Sequence, residues 1–231
     1  METDKHESTE KKRRKIILKI IIIIIIILLL LLKCSCCKTE DKLIKAQLDK
    51  MGIDCAAIKY VVMSHFHCDH AGYLYLFNNS EVIVAQDEYD NAMKLYESKG
   101  FGPGPYKYAD FDEFLKTDLK WRLLPDAYTD YEIVPGVKAV CFGSGHTFSL
   151  TGLSVNLSDE GNFLFTADAL YRSENLGPPV RIPGLIFDSL GYVKSANYIA
   201  EYAEKNNAKI IFGHDKKQFA SLKIAPSDYY Q

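Results

Sequence analysis

The apolar positions divide the chain into two materials. From residue 16 to residue 32 every position but Lys19 is apolar, whereas from Glu40 onward apolar residues recur with the spacings of a folded α/β domain. Ile44, Leu48 and Met51 stand at i, i+4 and i+7 and stop at Gly52, which predicts a short amphipathic helix. Residues 58–63 are a compact apolar run rich in Val, Tyr and Ile that stops where the histidines start, the pattern of a buried strand that delivers a loop. Residues 71–77 predict a helical turn and 82–85 a strand. Residues 88–98 predict a helix with Tyr89, Ala92, Met93 and Tyr96 inward. Gly102, Pro103, Gly104 and Pro105 belong to neither helix nor central strand, so they mark a loop, placed where it could cover a substrate. Short strands follow near 121–124, 137–142, 153–157 and 163–166, with a turn at 158–161, and this stretch reads as antiparallel sheet. Ser189 reads as the N-cap of a helix reaching Lys205, followed by a strand over 209–212 that ends at Gly213 and His214. No internal repeat is present.

The leader has its own logic. Lys11, Lys12, Arg13, Arg14 and Lys15 form a basic tail (1–15) ahead of the apolar run 16–32. At about 17 residues that run reaches the lower limit for a membrane-spanning helix, and Lys19 can snorkel to the headgroups. It predicts an uncleaved single-pass anchor with the basic end inside, although Lys33 and Lys38 oppose that orientation. A secreted protein with a signal peptide is the rival, weakened by the lack of a small-residue cleavage site. An almost pure Ile/Leu run is also low complexity, the mark of a faulty gene model, in which case the protein is soluble. A Cys-rich linker (33–39) carries Cys34, Cys36 and Cys37, and a single domain occupies 40–231.

Composition narrows the classes. A chain of 231 residues holds one domain with a sizeable core. Its 28 basic and 30 acidic residues leave no basic footprint for nucleic acid. Six cysteines, three clustered and three scattered at Cys55, Cys68 and Cys141, do not form a regular disulfide framework. The oligomeric state is left open.

The chemistry concentrates in S-H-F-H-C-D-H-A-G. His65, His67, Asp69 and His70 fall within six residues directly after a strand. In an extended loop His65 and His67 project to one side, while Asp69 and His70, once the chain turns, face a second centre nearby. One loop can thus serve two metals. The domain's remaining histidines, His146 and His214, each follow a predicted strand through glycine, and Asp168 follows one in the same way. Glycine lets the backbone turn sharply and approach an ion closely. Asp215, beside His214, is either an orienting partner or an exposed carboxylate.

H-F-H-C-D-H with the later G-H-T, T-A-D-A and F-G-H-D resembles the metallo-β-lactamase superfamily over about residues 41–216. The resemblance implies an αβ/βα sandwich and two zinc ions, other divalent metals being possible. One ion would be held by His65, His67 and His146 and the second by Asp69, His70 and His214, with Asp168 bridging. The bridging aspartate where many true β-lactamases carry a cysteine ligand speaks against antibiotic hydrolysis. D-A-L-Y with Tyr171, Y-E-I-V-P-G-V and F-G-H-D-K-K-Q are similar to N-acyl-homoserine lactonases, in which a tyrosine at the place of Tyr171 contacts the lactone carbonyl. The expected function is therefore a quorum-quenching, lactonase-like hydrolase. A hydroxide shared by the two metals would attack a small lactone or ester, with Tyr171 stabilising the oxyanion and Asp69 protonating the leaving alkoxide.

Two departures stand out. Family members usually place several strands before the helix that leads to the histidine loop, and here the apolar run occupies that place, which predicts a first sheet lacking part of its N-terminal half and apolar faces left uncovered. G-H-T-F-S also has Phe148 and Ser149 where Pro and Gly are frequent. Two alternatives to the lactonase follow: a thioesterase of the glyoxalase II kind or another acyl-ester hydrolase, and a truncated, membrane-tethered relative without activity.

Overall fold

The computed structural model describes residues 43–225 and 227–230. The basic tail, the apolar run and the Cys-rich linker therefore lie outside the described residues, and no described helix is long and apolar enough to cross a membrane. Helix α1 (Ile44–Lys50) forms as its spacing predicts and buries Ile44 and Leu48. Strands β1 (Tyr60–Val62), β2 (Glu81–Ala85) and β3 (Lys120–Leu124) pair in that order, all parallel. Between them run α2 (Cys68–Ala71), α3 (Gln86–Glu97) and α4 (Tyr108–Phe114). The second sheet has the order β4 (Thr129–Val134), β5 (Val137–Gly143), β6 (Leu150–Leu157), β7 (Gly161–Phe165) and β8 (Ala208–Ile211). It is antiparallel as far as β7, and β8 joins parallel to it after α5 (Ser173–Leu176) and α6 (Ser189–Lys205). Helix α7 (Lys216–Phe219) follows.

The period-two alternation of the strands explains the layering. Val62 and Ile83 face Ala139, Cys141, Leu153, Val155 and Phe163 across the space between the sheets. Their neighbours Val61, Val82 and Val84 point the other way, onto Ile44, Leu48, Ala92, Phe111 and Phe114 of the helices. On the far side Val140, Phe142 and Leu164 pack against Tyr192, Ala196 and Ile199 of α6. The result is the expected helix–sheet–sheet–helix sandwich.

Several expectations need correction. Strand β3 is parallel to β2 rather than part of an antiparallel run, because α3 and α4 carry the chain back across the outer face. Helix α4 was missed; Phe111 and Phe114 carry its buried stripe, but it is only seven residues long and follows a Gly/Pro loop. The faces of the first sheet are covered, since the exposed large apolar residues, from Leu115 to Tyr229, include none on β1, β2 or β3. What does hold among the described residues is that no strand pairs with the free edge of β1. Helix α6 begins where expected, but its cap is Asp188, whose carboxylate accepts from Leu190 and Gly191 N–H. Strand β4, also missed, is an edge strand of mostly half-buried residues. Cys55, Cys68 and Cys141 are free.

Candidate metal centre

All seven residues singled out for metal binding converge at one rim of the sandwich. After β1 the chain stays extended through His67, so His65 and His67 share a side while Phe66 points into the aromatic core against Phe111 and Phe114. Helix α2 then turns the chain and swings Asp69 and His70 to a second position. His146 arrives from the end of β5, where Gly143 adopts a φ of +80° that a side chain would strain. Asp168 sits on the tight turn Ala167–Ala169 after β7. His214 follows β8, and Gly213 is required before it, because a Cβ there would collide with the Ala167 carbonyl. Backbone bonds from Gly213 N–H to Leu170 and from His214 N–H to Tyr171 lock these two loops together.

Two groups result, His65 with His67 and His146, and Asp69 with His70, Asp168 and His214; within each, the candidate ligand atoms lie within 4.8 Å of one another. Asp168 joins them. Its Oδ2 is 3.2 Å from His146 Nε2 and 4.0 Å from His65 Nε2, while its Oδ1 is 3.1 Å from His214 Nε2 and 3.4 Å from His70 Nε2. Oδ1 is close to His214 yet not aligned as a hydrogen bond, and it has no partner. Ser64 Oγ lies 3.1 Å from His65 Nδ1 and 3.2 Å from His70 Nδ1. If both Nδ1 atoms carry the proton, the rings donate to Ser64 and their Nε2 lone pairs stay free. Both Nε2 atoms are indeed buried and unpartnered. Buried orphan lone pairs are costly unless something electrophilic takes them, and a His/Asp donor set suits a divalent cation.

The electrostatics agree. Burial, together with the neighbouring His70 and His67, holds His65 well below the usual imidazole range, and burial beside His146 pulls His67 down to about 2. Both rings are therefore neutral donors. Burial also opposes charge on His70, but the Asp168 carboxylate outweighs it and raises His70, while the same histidines hold Asp168 well below its ordinary range despite burial.

Tyr171 stands at the rim, its hydroxyl 3.2 Å from His146 Nδ1 and its ring 4.7 Å from that of His214. Burial, then Asp168 and Asp69, push the phenol up, so it stays protonated. Phe148 packs on Phe187 at 4.6 Å and near Tyr106 at 6.0 Å, and Tyr106 meets the edge of His67 at 4.8 Å. With the exposed Phe187 and Leu185, whose carbonyl lies 3.2 Å from His146 Nδ1, this makes an apolar wall beside the site. Asp215 is not an orienting partner; its carboxylate caps α7, accepting from Lys217 and Gln218 N–H at 3.0 Å. Sequence reading missed Ser64, Tyr106 and Glu88. Only Ser64, adjoining the motif, carried a signal.

This sandwich, with one short loop feeding two clusters and an aspartate between them, defines a class: the chain belongs to the metallo-β-lactamase superfamily, whose family model matches residues 35–214. Among curated relatives, the N-acyl homoserine lactonase AiiB of Agrobacterium fabrum is 36% identical over 185 residues, 80% of this chain and 67% of that protein. AiiB of Rhizobium rhizogenes is 37% identical over 174 residues, 75% of this chain and 63% of that one. A solved structure of a Bacillus thuringiensis AiiA variant with N-decanoyl-L-homoserine bound at its active site superposes with a TM-score of 0.69 at 30% identity, covering 84% of this chain and 69% of that one. The chain thus spans about two thirds of the length of the relatives it matches.

Proposed function

We propose that this protein is a dinuclear metal hydrolase that opens the ring of N-acyl-homoserine lactones or closely related esters. The observation that carries the metal reading is the pair of buried, unpartnered Nε2 atoms on His65 and His70, facing opposite oxygens of Asp168. His65, His67 and His146 would hold one divalent ion, Asp69, His70 and His214 the other, with Asp168 between them. Zinc fits the donor set, and other divalent metals share it. When bound, two such ions supply a water of pKa about 7 and Lewis-acid pull on the substrate carbonyl.

The chain's own residues do the rest. The Leu185 carbonyl, 3.2 Å from His146 Nδ1, can only accept, so that nitrogen carries the proton and offers Tyr171 no lone pair, which leaves the tyrosine O–H free to donate to the oxygen that gains charge as the carbonyl is attacked. Water adds across the ester C–O bond: its oxygen joins the acyl carbon and the ring C–O breaks. Asp69, partly exposed at the mouth, takes the water's proton and returns it to the departing alkoxide. The wall of Tyr106, Phe148 and Phe187 offers apolar surface for an acyl chain. The lactonase names of the relatives favour this reading over a thioesterase.

Metal analysis of the full chain, joined to a pH-drop assay with an acyl-homoserine lactone and a parallel thioester panel, tests it. Two ions per chain with lactone turnover are expected. Faster thioester cleavage would sink the lactonase, and a chain without metal or turnover would be the inactive relative.

A further inference from the structure

Glu88 is completely buried in the first turn of α3, and it forms no ion pair among the described residues. Phe66 N–H and the Tyr106 hydroxyl donate to Oε1 at 3.0 Å and 2.9 Å, Ser149 N–H lies 3.4 Å from Oε2, and the Thr147 hydroxyl, which donates to the Ser149 carbonyl, meets the carboxyl as well. Burial pushes the carboxyl above its ordinary range and these contacts oppose that rise; a buried acid with no cation beside it is an expensive arrangement, kept only where something compensates it. These residues have one thing in common. Phe66 separates His65 from His67, Thr147 follows His146, Ser149 is three residues on, and the Tyr106 ring lies edge-on to His67. Glu88 thus ties together the two loops that present His65, His67 and His146, while none of its bonds reaches the loops of Asp168 and His214.

We propose that Glu88 is a positioning residue for the His65–His67–His146 group, fixing its two loops in register. This rests on the two-metal reading above but not on the identity of the substrate. The isosteric Glu88→Gln keeps the shape and turns an NH2 toward N–H donors, so one loop loses its acceptor.

The test measures metal affinity, with no lactone present, by competition against a chromophoric chelator in full-length protein. Glu88→Gln is placed in two backgrounds: His214→Ala, which damages the other group, and His146→Ala, which damages this one. The expected result is a loss of about 10–100-fold in the His214→Ala background and a much smaller one in the His146→Ala background. The metal-free proteins with and without Glu88→Gln should melt at similar temperatures, since a residue serving packing alone would lower both forms alike. Equal losses in the two backgrounds, no loss in either, or a metal-free melting point that falls as far as the loaded one would each overturn the proposal. Should Glu88→Gln fail to fold, Tyr106→Phe removes one donor and should give a smaller loss in the same background; unchanged affinity there would overturn it too. Absence of lactone turnover would sink the proposed activity and leave this inference standing, whereas a wild-type chain that takes up no metal would sink both.

Discussion

Asp168 and Tyr171 stand three residues apart on one turn, and their environments push them in opposite directions. The carboxylate, surrounded by His70, His146 and His214, stays ionised, whereas the phenol, buried beside Asp168 and Asp69, keeps its proton. A phenol that keeps its proton at the rim is a donor of the kind a developing oxyanion needs. Replacing Tyr171 by Phe removes the donor without touching a ligand atom. Steady-state kinetics should then show kcat lower by roughly 10²-fold, with KM and metal content nearly unchanged. A raised KM at unaltered kcat would instead mean that the hydroxyl binds the ground state.

At the scale of elements, the site depends on how strands stop. Asp188 illustrates it: besides capping α6 through Leu190 and Gly191, its carboxylate accepts from the Ser144 hydroxyl at 2.7 Å, joining the helix start to the loop that carries His146. The Gly191 N–H and Ser144 hydroxyl hold Asp188 below its ordinary value. A carboxylate lowered in the folded state stabilises above its unfolded pKa, about 3.9, and that contribution is lost as pH falls through the folded value. Asp188→Asn should therefore melt lower than wild type at neutral pH, and the gap should close as pH drops below about 4. A gap that persisted in acid would assign the loss to geometry rather than charge. Elements were also where sequence reading was uneven. The long periodic segments, such as α3 and α6, and the buried strands were legible because burial imposes period on them. Helix α4 and strand β4 were not, being short and, for β4, half-exposed, so neither shows a sustained pattern.

For the molecule as a whole, the two sheets meet at the metal-binding rim, where Thr151 at the start of β6 donates its N–H to Ser64 and its hydroxyl accepts from Ala85 N–H. Ions bound there would bridge loops of both sheets and stabilise the fold by mass action. Stripping metal with a chelator should lower Tm, and adding back free metal at about 100 times Kd should restore about 2.7 kcal/mol per site; an unchanged Tm would separate the site from the fold. The sequence by itself determined the ligand types, their order and their placement after strands, because one loop holds four of the seven and each of the rest follows a strand directly. The layering was an expectation from the family resemblance of those motifs. Only the tertiary structure decided that Asp168 turns one oxygen to each group, that Asp215 caps a helix, and that Glu88 binds two loops from 22 and 61 residues away. The reason is physical: periodicity records which face of an element is buried, but a polar contact between distant loops leaves no period, and it appears only when packing brings donor and acceptor together.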